Sequence, residues 1–129
     1  MQPAQSLPAV LLVDDTLSIQ QLLTHTLRTV VPYEIIAVND ATAALAVVAA
    51  RPVPLLITDY HLSGMRGDVL ASAVKAVLPA TKVMIITADI EIDGYAEWPD
   101  VDCWLIKPFP LHELLAAVTT LLPSQERAR

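Results

Sequence analysis

The sequence predicts an α/β domain built on a five-stranded parallel sheet with helices on both faces. Three observations predict it. Short apolar runs alternate with stretches of helical periodicity along the 129 residues. The runs are apolar throughout rather than every second residue, as in strands buried on both faces. Four of them also end in a residue suited to phosphate or metal chemistry, which places those residues together if the carboxyl ends of the strands share one rim.

AVLLV at 9–13 reads as the first strand and runs into Asp14-Asp15. Ile19, Leu22, Leu23, Leu27 and Val30 then recur at helical spacing, with Thr16 or Ser18 placed to cap and Pro32 closing the helix. Tyr33–Val38 reads as the second strand. Asn39-Asp40 can cap an Ala-rich helix over 41–50, whose small side chains allow close packing on a sheet. Pro52 and Pro54 bound the third strand, PLLIT at 54–58, which runs into Asp59. Gly64 and Gly67 mark a loop, and Val69, Leu70, Ala73, Val74 and Val77 carry the next helix as far as Pro79.

KVMII at 82–86 reads as the fourth strand and runs into Thr87. The following stretch is poorly patterned: Ile90, Ile92, Tyr95 and Trp98 have weak helical spacing, and Gly94 and Pro99 interrupt it. A short or irregular fourth helix is expected there. DCWLI at 102–106 makes the fifth strand and runs into Lys107-Pro108. Leu111, Leu114, Leu115, Val118, Leu121 and Leu122 form the stripe of a last helix, with Pro110 at its start. The expected organisation is a tail over 1–8, one domain over 9–122 and a tail over 123–129.

Composition narrows the function. Residues AVILMFWYC make up 54% of the chain, so it is not a disordered segment, and the core must be aliphatic because only 5% is aromatic. A net charge of −6 argues against a nucleic-acid surface, which needs basic groups to neutralise phosphates. The single cysteine, Cys103, forms no internal disulfide and reads as a plain buried thiol. Met1–Pro8 lacks the features of a signal peptide, and no apolar run can span a bilayer, so a soluble cytoplasmic domain is expected. His25 and His112 fall within helices and read as ordinary surface or boundary positions. Tyr95 and Trp98 read equally as a partner surface or as filling beside a short helix.

The rim would gather Asp14, Asp15 and Asp59 with Thr87 and Lys107. Two carboxylates ~4 Å apart repel by about 4 kcal/mol at an effective dielectric of ~20. A divalent, oxygen-seeking cation removes that conflict, and one or two carboxylates with several waters is a magnesium arrangement. An ionised aspartate beside such an ion can act as a nucleophile toward phosphorus. An ammonium and a hydroxyl would then stabilise the charge on the transferred oxygens.

The order Asp-Asp, Asp, Thr, Lys-Pro-Phe on this alternation resembles the receiver domain of bacterial two-component response regulators, from about Ala9 to Leu122. The specific pieces are VDD at 13–15, TDYHLSGMRG at 58–67, TAD at 87–89 and KPF at 107–109. The resemblance implies a flavodoxin-like doubly wound fold. It also implies that Asp59 is the phospho-acceptor, with Mg²⁺ held by Asp14, Asp15, Asp59 and the backbone carbonyl of His61. Lys107 would pair with the phosphoryl oxygens, Thr87 would close onto them, and the Lys107-Pro108 bond would be cis. The implied partners are a histidine kinase or histidine phosphotransfer protein upstream and a protein target downstream, met through the face around 88–122. Such a domain is a regulatory phosphoacceptor rather than a metabolic enzyme, and it dephosphorylates itself slowly.

The chain departs from the family pattern in places. Ser63 stands where proline is usual, and Trp104 holds the switch position that is normally Tyr or Phe. Trp104 reads equally as a packed ring or as a moving switch. His61 and Asp89 take the two variable positions that tune phosphoryl hydrolysis. Dehalogenase-type phosphatases share the chemistry but place their nucleophile after the first strand, with an acid two residues on; the residue two past Asp59 is histidine. A docking module that keeps the fold without being phosphorylated is the alternative. Both a stand-alone regulator and a receiver within a hybrid kinase or a longer regulator fit.

Overall fold

The computed structural model describes residues 8–88 and 98–122. Its elements run β1 (Ala9–Val13), α1 (Leu17–Arg28), β2 (Glu34–Val38), α2 (Ala41–Ala50), β3 (Leu55–Asp59), β4 (His61–Leu62), β5 (Met65–Arg66), α3 (Gly67–Val77), β6 (Lys82–Thr87), β7 (Cys103–Ile106) and α4 (Leu111–Leu121). Five strands form one sheet in the order β2-β1-β3-β6-β7, all paired in parallel. This is a flavodoxin-like doubly wound sheet. Its strand order reverses direction at β1 and β3, which puts the ligand crevice beyond their carboxyl ends.

The apolar runs are explained by burial on both sides. Leu11 and Val13 point into one core layer with Ala44 and Val48 of α2 and Leu70 and Val74 of α3. Val10 and Leu12 point into the other, with Leu23 and Leu27 of α1 and Leu114 and Val118 of α4. Strands sandwiched in this way have no solvent face and so no polar alternation. The small residues of α2 do as their size suggests: Ala41 and Ala44 are buried against the sheet.

The helix stripes are narrower than the periodicity implies. Gln20, Leu23 and Leu27 are the buried residues of α1, while Leu22 stands 49% exposed; Val30, expected on this helix, lies past its end at Arg28 and is 55% exposed. On α3, Leu70, Ala71 and Val74 are buried, and Val69 and Val77 are exposed. A helix lying on a sheet covers little more than one line of side chains, so apolar residues at the edge of the stripe face solvent. Leu111 does the same at the start of α4.

Several local expectations are corrected. Asp40 caps α2 by accepting from the Ala43 amide at 2.8 Å, as expected. Thr16 is the N-cap of α1 but makes no side-chain cap bond; its own amide donates to Asp14 Oδ1 at 2.8 Å. The loop expected around Gly64 and Gly67 is a small antiparallel hairpin, β4-β5, with Gly64 at φ 82° in its turn and Gly67 already opening α3. Cys103 is half-buried rather than fully buried, and burial followed by the nearby Asp102 charge pushes its thiol above the ordinary value. The short or irregular helix expected between Thr87 and Cys103 lies mostly outside the described residues. Among the described residues, no helix is long and apolar enough to cross a membrane.

Candidate functional site

Each strand delivers its terminal polar residue to the same rim. Asp59 is the last residue of β3, and Asp14 follows β1 beside it in the register that pairs Val13 with Thr58. Thr87 closes β6 and is fully buried, and its carbonyl accepts from the Lys107 amide at 2.8 Å just past β7. The Lys107-Pro108 bond is cis, as expected. The Lys107 Nζ then lies 3.4 Å from Asp59 Oδ2, and the Asp59 side chain is only 14% exposed. The other Asp59 oxygen, Oδ1, accepts from the His61 amide at 3.2 Å. The carboxylate is thereby oriented from both sides.

The two preceding acids sit in different surroundings. Asp14 is 2% exposed, and burial raises its pKa above the ordinary carboxylate value. The Thr16 amide and the Lys107 charge oppose that rise, while the negative charges of Asp59 and Asp15 add to it. Asp15 is exposed, and its Oδ2 accepts from Ser63 Oγ at 3.3 Å. Among the described residues no three such groups are already drawn close enough to enclose a metal ion. The donor set nevertheless fits one: the groups are hard oxygens, their negative charges repel one another, and burial disfavours the charged form of Asp14, which a cation would favour.

Gln20 was not legible as part of this site. It lies in α1 on the same stripe as Leu23 and Leu27, three and seven residues before them, and the signal is its polarity at a core position. Its side-chain amide reaches the backbone carbonyls of Asp14 at 3.1 Å and Val38 at 3.0 Å and the Asn39 side chain at 2.8 Å. It therefore fastens the ends of β1 and β2 beneath the acidic rim. Gly67 is a second such residue. A Cβ there would stand 2.5 Å from the Asp59 carbonyl oxygen, so only glycine lets α3 begin against the end of β3.

A ring cluster adjoins the site. Tyr60, next to Asp59 in the chain, is buried, and its amide is held by the Ile86 carbonyl at 2.9 Å. Its ring lies 6.1 Å from Trp104 and 5.6 Å from Trp98, and the two tryptophans meet edge to face at 4.9 Å. His61 is exposed, with its ring 4.8 Å from Tyr60. Trp104 alternates onto the sheet face of Ile85, its partner in the register, and so does Thr87. Trp98 packs as filling against this core layer. Asp89 and Tyr95 lie outside the described residues. His25 and His112 are exposed on α1 and α4.

The sheet order and the acidic switch-point crevice define a doubly wound regulatory module of receiver type. The chain belongs to the response regulator receiver domain family, whose model matches residues 10–119. It is 33% identical over 111 residues to the response regulator protein FleR of Pseudomonas aeruginosa, covering 84% of this chain and 23% of FleR. It is 31% identical over 119 residues to the sensor histidine kinase TmoS of Ectopseudomonas mendocina, covering 89% of this chain and 12% of TmoS. The chain thus spans less than a quarter of either relative. The signal receiver domain of an HD domain-containing protein from Pseudomonas fluorescens Pf-5 superposes with a TM-score of 0.81 at 31% identity, covering 95% and 91% of the two chains. The response regulator TrrA of Thermotoga maritima, solved in complex with Mg²⁺-BeF, superposes at 0.80 with 26% identity, covering 89% and 99%.

Proposed function

We propose that this chain is a phosphoacceptor in two-component signalling, working in the cytoplasm as a timed switch. The observation that carries the reading is the Lys107 ammonium 3.4 Å from Asp59 Oδ2, at the strand-switch crevice and beside the buried Asp14. An Asp59 carboxylate oxygen attacks phosphorus, and the bond from phosphorus to the donor nitrogen or acyl oxygen breaks, so the donor leaves with that electron pair. Lys107 holds the phosphoryl oxygens as their charge redistributes. Asp14, Asp15, Asp59 and the His61 backbone carbonyl would hold Mg²⁺, which would supply the remaining neutralisation. The donor is a histidine kinase or a histidine phosphotransfer protein, or a small acyl phosphate.

Thr87 then turns toward the phosphoryl group, and Trp104 follows on the same sheet face. The change reaches a protein target through the face around 88–122 by shifting a pre-existing equilibrium. Water later cleaves the acyl phosphate, at a rate tuned by His61 and Asp89. The receiver unit spans 9–122, and it is regulatory; its only chemistry is on itself.

Intact-mass spectrometry after incubation with acetyl phosphate, with and without MgCl₂, tests this reading. A single phosphoryl adduct is expected that requires Mg²⁺ and is absent from Asp59→Asn. No adduct from acetyl phosphate or from a phosphorylated histidine phosphotransfer protein, with no Mg²⁺ binding, would instead leave a docking module that does not use phosphorylation.

A further inference from the structure

Ser63 and Gly64 are the central residues of the turn between β4 and β5, where Leu62 faces Met65. Gly64 has φ 82°, and no other described residue has a positive φ. A positive φ at the second central position only is the pattern of a type II turn, whose first central position suits proline. This chain has serine there and so forgoes the ring that would fix φ. It has a hydroxyl instead, which reaches across from the hairpin to Asp15 Oδ2 at 3.3 Å, 48 residues away in sequence.

We propose that Ser63 is a positioning residue for the metal site: its hydroxyl holds one oxygen of Asp15 and presents the other to Mg²⁺. The inference rests on the Mg²⁺ reading above. Asp15 is exposed, so without a partner its carboxylate rotates freely and is hydrated. A ligand that is already oriented loses less freedom when the ion binds. The same bond ties the β4-β5 hairpin to the end of β1. Asp59 lies between them, with its Oδ1 already held by the His61 amide at the start of that hairpin. The serine thus provides by a hydrogen bond part of the fixing that a proline ring would provide by covalent restraint. Hydrogen-bonding partners of metal-bound carboxylates are commonly worth 10–100-fold in affinity; with both groups exposed, about three- to ten-fold is expected here.

The test is titration of the full chain with MgCl₂, followed by tryptophan fluorescence and checked by calorimetry, with circular dichroism confirming the fold of each variant. Ser63→Ala and Ser63→Pro both remove the hydroxyl, and both are expected to raise the Mg²⁺ dissociation constant about three- to ten-fold. Ser63→Thr keeps a hydroxyl and should stay within two-fold of the parent. If Ser63→Ala binds as the parent does, the proposal is overturned. It is also overturned if Ser63→Pro binds as tightly as the parent while Ser63→Ala does not, because turn rigidity would then be the cause. A parent chain that does not bind Mg²⁺ at all would sink the metal reading itself, a different result from either.

Discussion

Gly67→Ala sets two physical effects against each other at the site, and the structure decides the sign. Gly67 is the first residue of α3, where helix propensity alone favours alanine by up to about 1 kcal/mol. The surroundings oppose it. The added Cβ would meet the Asp59 carbonyl oxygen at 2.5 Å, Tyr60 Cα at 3.0 Å and the Asp59 carbonyl carbon at 3.3 Å, against the 3.4 Å at which ordinary contact begins. The worst shortfall is therefore about 0.9 Å. All three obstacles are backbone, so no side chain can rotate away. The segment is also pinned, by the Gly67 amide on the Tyr60 carbonyl at 2.7 Å and by the Tyr60 amide on the Ile86 carbonyl.

Overpacking of this kind costs typically about 1–3 kcal/mol, with the upper end applying where backbone must move; less the propensity gain of up to about 1 kcal/mol, the net effect is a loss of about 2 kcal/mol. It should appear as a lower urea midpoint at unchanged slope. The chemistry suffers as well. Relief requires the end of β3 to move, and the Asp59 carboxylate moves with it relative to Lys107. A displacement near 1 Å at a reacting group can cost about 100-fold in rate. Labelling by acetyl phosphate, read as the rate of appearance of the phosphoryl adduct by mass, should fall by at least about ten-fold. An alanine variant as stable as the parent and labelled at the parent's rate would refute the close approach of α3 to β3 as a constraint on the site.

Two further perturbations test the support beneath the rim. Asp14 has its pKa raised in the folded state by burial, so the unfolded chain ionises first and stability falls as pH rises past the unfolded value near 3.8. Asp14→Asn should accordingly be more stable than the parent in metal-free buffer at pH 7, should lose that advantage below about pH 4, and should no longer be stabilised by MgCl₂; urea unfolding at several pH values reads all three. Gln20→Leu keeps the bulk in α1 but removes the donor that serves the Asp14 and Val38 carbonyls and Asn39. It should cost about 1–3 kcal/mol in urea unfolding and weaken Mg²⁺ binding, and an unchanged Mg²⁺ titration would show that Asp14 is placed without Gln20.

The sequence by itself determined the sheet and the membership of its rim. Strands buried on both faces must be apolar from end to end, so AVLLV, LLIT and VMII stand out from the helical stretches, WLI of the half-buried edge strand β7 stands out with them, and β1 and α2 have the bounds their patterns imply. Asp14, Asp59, Thr87 and Lys107 were legible because each follows such a run directly, and a strand's end needs no tertiary information to be recognised. The tertiary structure decided which groups touch. Gln20 looks like one more polar residue of an amphipathic helix until α1 is laid on the sheet and its amide meets the ends of β1 and β2. Gly67 looks like a loop glycine until the helix it opens is seen to start against the Asp59 carbonyl. Ser63 is a missing proline in the sequence and a hydrogen-bond donor to Asp15 in space. Periodicity encodes which side of an element is buried, whereas contacts between residues 19 or 48 positions apart depend on how the elements are placed against one another, and only packing fixes that.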